Sequence, residues 1–170
     1  MTTRQLRAFE EVGKHAVGNL NSLKVKTVAN GAICQGDIDN FTLVELGFNE
    51  DGERVAKQLS DVTKKSYLIA SPETRYMGEL MGDFFNGDGE RARIVILEEG
   101  YTRFDTSAFT GEPTNGKFAH FDPATKKFLI HDGTHADYAN ASAKFLVVNN
   151  EDELDYTFGQ PMVRLEVIEA

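Results

Sequence analysis

The sequence predicts a mainly β (α+β) domain: a barrel or sandwich of short antiparallel strands, with one packed helix at about residues 71–85 and an amphipathic helical arm at the N-terminus. Three observations lead there. Beyond residue 24 the apolar runs are short, and Gly, Asn and Asp punctuate them at Asn30-Gly31, Gly36-Asp37 and Asp51-Gly52. Two stretches, one at the start and one after Ser71, space their apolar residues by three and four as a helix does. With 170 residues, 41% of them apolar, the chain can bury one sizeable core. The expected organisation is an arm, 1–23, and a single β-rich domain, 24–170.

In the arm, Leu6, Phe9, Val12, Ala16 or Val17, Leu20 and Leu23 form a helical stripe. Gly13 and Gly18 each cost a helix about 1 kcal/mol relative to Ala, so it is weak alone. It packs on its own domain, orders against a partner or stays disordered.

Residues 25–28, 32–34 and 41–46 read as strands. Residues 66–70 read as a buried strand, after which Ser71 fits an N-cap, Pro72 the first helical position and Glu73 an acidic first turn. Tyr76, Met77, Leu80, Met81, Phe84 and Phe85 would give that helix its apolar face, ended by Asn86-Gly87. The frame F-N-x-D-G-E-R occurs twice, at 48–54 and 85–91, as one turn solution used twice. Residues 91–97 and 101–105 are expected to pair across Glu98-Glu99-Gly100. Residues 117–121 and 127–131 form a hairpin about Asp122-Pro123-Ala124-Thr125-Lys126. Residues 144–148 and 162–168 close the domain, the latter with Val163, Leu165 and Val167 inward and Arg164 and Glu166 outward. The total is about nine or ten strands.

A net charge of −9 argues against nucleic acid or an anionic membrane surface as partner. The longest apolar runs, such as 94–97, fall far short of the roughly 20 residues of a membrane span. The first residues lack the apolar segment of a secretory signal, so a cytoplasmic protein is expected. The lone Cys34 reads as a core residue.

His120, Asp122, His131, Asp132, His135 and Asp137 are the one concentration of side chains with metal or acid-base potential. His131 and His135 have the i, i+4 spacing of a helical zinc pair, but Gly133 argues against a helix and no third ligand sits at a recognisable spacing. They are read as solvated loop residues, with no metal. Calcium loops fail on register: placing Asp88 or Asp51 at position five puts Phe84 and Val95, or Gly47 and Gln58, where carboxylates are needed. Phosphate-binding motifs are absent, and Ser71, Ser107 and Ser142 lack the setting of a nucleophile. The expectation is a binding protein, not an enzyme, with no catalytic residue and no cofactor.

The order of blocks Asn30-Gly31-Ala32-Ile33-Cys34-Gln35-Gly36-Asp37, Leu43-Val44-Glu45-Leu46, a Gly-Glu-Arg turn, Leu68-Ile69-Ala70-Ser71-Pro72-Glu73, Phe85-Asn86, Gly116-Lys117 and Lys127-Phe128 resembles small virion proteins of tailed bacteriophages. Residues 163–167 look similar too. The resemblance implies a head-associated structural protein, a decoration or cementing protein on the capsid surface, made in the host bacterial cytoplasm. Its partners would be the major capsid protein and copies of itself. The stripe Leu6, Phe9, Val12, Val17 and Leu20 is the expected contact, and deleting residues 1–23 is expected to leave a folded domain. The alternative is a small-ligand or carbohydrate-binding β domain stacking on Tyr101, Phe104, Phe109, Tyr138 and Tyr156; a chain without tryptophan weakens it.

Overall fold

A computed structural model describes residues 10, 12–73, 80–149 and 160–170. Among them thirteen short strands pair into two sheets. One sheet has the order β1 (Gly18–Leu20), β8 (Arg103–Thr106), β13 (Val163–Glu169), β12 (Lys144–Val147), β10 (Phe118–Asp122), β11 (Lys127–His131) and β9 (Phe109–Thr110). The other has β6 (Arg91–Ala92), β2 (Ala32–Cys34), β4 (Arg54–Gln58), β3 (Thr42–Phe48), β5 (Tyr67–Ile69) and β7 (Ile94–Val95). Neighbours are antiparallel except β9 with β11 and β2 with β4.

The main core lies between the sheets. Leu43, Leu68 and Val95 from the second meet Phe104, Phe121, Phe128, Phe145 and Leu165 from the first. Phe128 packs edge-on against Phe145 at 5.2 Å and Phe121 at 5.2 Å, geometries that favour the ring quadrupoles. Val44, Ile69 and Ile94, the chain neighbours of those second-sheet residues, point the other way into a second cluster with Cys34 and Ile38. The second sheet is therefore apolar on both faces, so its strands read as unbroken apolar pairs and not as alternation.

The hairpin stands as expected, in the register Phe118↔His131 to Asp122↔Lys127, with the Ala124 amide donating to the Asp122 carboxylate. Both copies of the repeated frame hold their glycine at positive φ, Gly52 at 78° and Gly89 at 76°, but they close different turns: Gly52 N–H donates to the Asn49 carbonyl, whereas Glu90 N–H donates to the Gly87 carbonyl. An Arg91–Glu53 ion pair at 3.1 Å ties the two copies together.

Four expectations are corrected. Residues 25–28 form only an isolated bridge, Thr27 to Val95. Residues 101–105 do not pair with 91–97: Thr102 and Tyr101 amides close the turn on the Glu98 carbonyl, and the chain passes from β7 in one sheet to β8 in the other. The packed helix at 71–85 is not seen. Residues 74–79 lie outside the described set, 71–73 are not helical, and Met81–Asp83 is a single 3-10 turn followed by extended Phe84. The capping chemistry of Ser71 is used elsewhere: its amide and carbonyl bond the Asn40 side chain, and its hydroxyl accepts from the Arg93 amide.

The helical arm is not seen either. Leu6 and Phe9 lie outside the described residues, and Val12 is exposed in a turn. Val17 is buried and Leu20 packs on the main core, because residues 18–20 are the edge strand β1 paired to β8. A boundary at residue 23 would thus cut a strand out of its sheet. Gly18 permits the pairing: a Cβ there would lie 2.3 Å from the Phe41 ring and 2.5 Å from the Asp105 carbonyl. Gly18→Ala is expected to cost about 1–3 kcal/mol by overpacking, read as a lower urea midpoint with unchanged slope.

Candidate functional site

Alternation along the β10–β11 hairpin sends Ala119, Phe121, Phe128 and Ile130 into the core and leaves Phe118, His120 and His131 on the opposite face. His120 is nonetheless only 1% exposed. The segment after β11 covers it. Asp132 accepts hydrogen bonds from the Thr134 amide and hydroxyl, which turns the chain back over the hairpin. His135 then lies 4.8 Å from the His120 ring and 5.7 Å from His131, centroid to centroid, and Tyr138 meets His131 edge-on at 4.7 Å. Lys144, paired to Glu169 at 2.8 Å, stands 5.6 Å over the Tyr138 ring.

Hydrogen bonds assign the tautomers. The Gly133 amide donates to His131 Nδ1 at 2.9 Å, so the His131 proton sits on Nε2 and is donated to His120 Nδ1, also 2.9 Å away. The Asp137 amide donates to His135 Nδ1 at 3.3 Å. In His120, His131 and His135 alike, Nδ1 is the unprotonated nitrogen and accepts one hydrogen bond. Burial, followed by the charge His131 and His135 would carry, pushes His120 down to about 4. Burial and His135 also lower His131, so neither ring is protonated at neutral pH. Burial, then Glu169, raises the Tyr138 phenol.

The solvated-loop reading is corrected for His120, buried on β10, and for His131, half-buried on β11; the Asp122 carboxylate at the end of β10 and that of Asp132 cap local turns. The sequence did carry one signal: in Phe118-Ala119-His120-Phe121, alternation puts His120 on the Phe118 face, and the Asp132-Gly133 turn aims His135 back at it.

A second feature lies on the outer face of β1, β8 and β13. Arg164 points outward as expected but is buried, bidentate with the fully buried Asp105 at 2.8 and 3.2 Å. Asn21 donates to the same carboxylate at 2.7 Å. One row further along, Arg103 pairs with Glu166. Beyond that row the pairing ends: β1 stops at Leu20, β8 begins at Arg103 and Tyr101 lies in the Glu98 turn, with Leu23 in the segment after β1 and Ile168 near the end of β13. All three are exposed, Tyr101 at 46% and Ile168 at 37%. The Tyr101 hydroxyl accepts from the Lys24 amide, which holds the Leu23 segment beside it.

The stacking aromatics are not brought together. Phe104 is core, Phe109 packs against the core on β9, Tyr138 belongs to the histidine cluster, and Tyr156 lies outside the described residues. Among the described residues no helix is long and apolar enough to cross a membrane.

A model of the YonC prophage protein family matches residues 11–168. The chain is similar to the SPbeta prophage-derived uncharacterized protein YonC of Bacillus subtilis strain 168, with 65% identity over 178 aligned residues covering 100% of both chains. No solved structure matches it.

Proposed function

The chain belongs to the YonC prophage protein family, and from that premise we propose that it is a structural virion protein that docks on the outer surface of a phage capsid and decorates or stabilises it. The observation that supports this reading is the exposure of three apolar side chains, Leu23, Tyr101 and Ile168, close to the end of the sheet that carries the Asp105–Arg164 and Arg103–Glu166 pairs. An exposed aromatic with exposed aliphatic residues and charged pairs on the same sheet has the make-up of an interface centre and its rim. These residues replace the arm stripe as the proposed contact, since Val17 and Leu20 are committed to the fold. The partner is the major capsid protein, with contacts between neighbouring copies of the chain; a net charge of −9 suits a neutral or basic patch on it. The chain works by contact and not by catalysis.

The test is incorporation of the Leu23→Asp, Tyr101→Asp double variant into particles from the lysogen that encodes it. Both side chains are exposed, so stability is expected to change by no more than about 0.5 kcal/mol per site. The variant is expected to accumulate as folded protein and to be missing from purified particles. Incorporation at the wild-type level would contradict the docking face.

A further inference from the structure

We propose that His120, His135 and Asp137 bind one divalent first-row transition metal ion, with zinc as the reference. This goes beyond the capsid reading and does not depend on it. One donor atom from each residue lies within 4.8 Å of the other two. Bonds of about 2.0–2.2 Å in a tetrahedral site set donors roughly 3.3 Å apart, so the set must close by up to about 1.5 Å. The movable side is the loop side: His120 is fixed on β10, whereas His135 and Asp137 sit on a partly exposed irregular segment. Imidazole with one carboxylate selects zinc and its neighbours over magnesium or calcium, which prefer oxygen.

The unprotonated nitrogen of both His120 and His135 is Nδ1, which in the metal-free protein accepts from His131 Nε2 and the Asp137 amide respectively, so an ion bound there displaces two hydrogen bonds and no proton. The ligands come from two different elements, a strand and the loop folded over it, so an ion would staple that loop to the hairpin. His131 Nε2–H, 2.9 Å from His120 Nδ1, fills that lone pair in the metal-free protein and has to turn away when an ion binds. Three protein ligands leave a fourth position open on the exposed Asp137 side.

The full chain, stripped with chelator and desalted, is titrated with zinc chloride, and metal retained after gel filtration is measured. Cobalt(II) in place of zinc gives a visible d–d band that reports the ligand set directly. The expected result is one zinc per chain. His135→Ala is expected to weaken binding at least about 100-fold and Asp137→Asn about 10-fold, with circular dichroism and melting in chelator unchanged. Both positions reach solvent, so loss of binding there is not loss of folding. Failure of the wild-type chain to retain zinc, or undiminished retention in His135→Ala, would overturn the site.

Discussion

Arg164→Met is expected to lower the unfolding free energy by about 3–5 kcal/mol, because it strands a charge in the protein interior. Asp105 is fully buried on β8, and Arg164 meets both of its carboxylate oxygens from β13. Removing the guanidinium leaves the carboxylate with its desolvation cost and without its counter-ion. Removing both charges is a different matter, since an apolar pair of similar volume can replace a buried ion pair at little cost. The Asp105→Leu, Arg164→Met double variant is therefore expected to be more stable than Arg164→Met alone. Urea denaturation of the three proteins decides it. Equal stability of the single variant and wild type would mean that the pair is solvated.

Acid is expected to lower stability between pH 6.5 and 4 in the metal-free protein, by roughly 3 kcal/mol, chiefly through His120. The sign follows from a folded-state value of about 4 against 6.5 for the free side chain. Above pH 6.5 neither state binds the proton and nothing changes. Between 6.5 and 4 the unfolded chain is protonated and the folded one is not, so stability falls as pH falls. Below 4 both are protonated and the contribution is flat. Carboxylates also titrate near the lower end, so the diagnostic is a comparison: His120→Phe in chelator should show a shallower slope across this window than wild type. Parallel curves would remove His120 as the cause.

Strands set by local turn chemistry were legible in the sequence, and contacts set by distant segments were not. The limits of the 32–34 strand are set by positive-φ Gly31 and Gly36 on either side of it, and the Asp122–Lys126 turn fixes its hairpin, so both were local signals even though the strand's partners, β4 and β6, are remote. The pairing of 101–105 was misassigned because the Glu98 turn, which looks like a hairpin turn, connects two sheets. Ser71-Pro72-Glu73 carries a helix-start signal, yet Asn40 and Arg93, remote in sequence, take up the Ser71 groups that would cap it. Similarly, Gly18 looked like a defect in a helical stripe and is the point where an edge strand crosses Phe41.

The site residues follow the same division. Alternation gave the correct face for Arg164 and Glu166 but not their burial, which depends on Asp105 on the neighbouring strand. His120, His131 and His135 are separated by turns whose chain reversal brings them together, so their linear spacing matched no metal motif. The exposed Leu23, Tyr101 and Ile168 come from three segments and share no sequence signature.

The most direct measurement of the proposed role is the protein composition and cryo-electron microscopy of particles purified from the induced lysogen. The chain is expected in a fixed ratio to the major capsid protein, as ordered density on the outer shell with the Leu23, Tyr101 and Ile168 face turned toward it. A chain abundant in the induced cell and absent from purified particles would contradict a virion role.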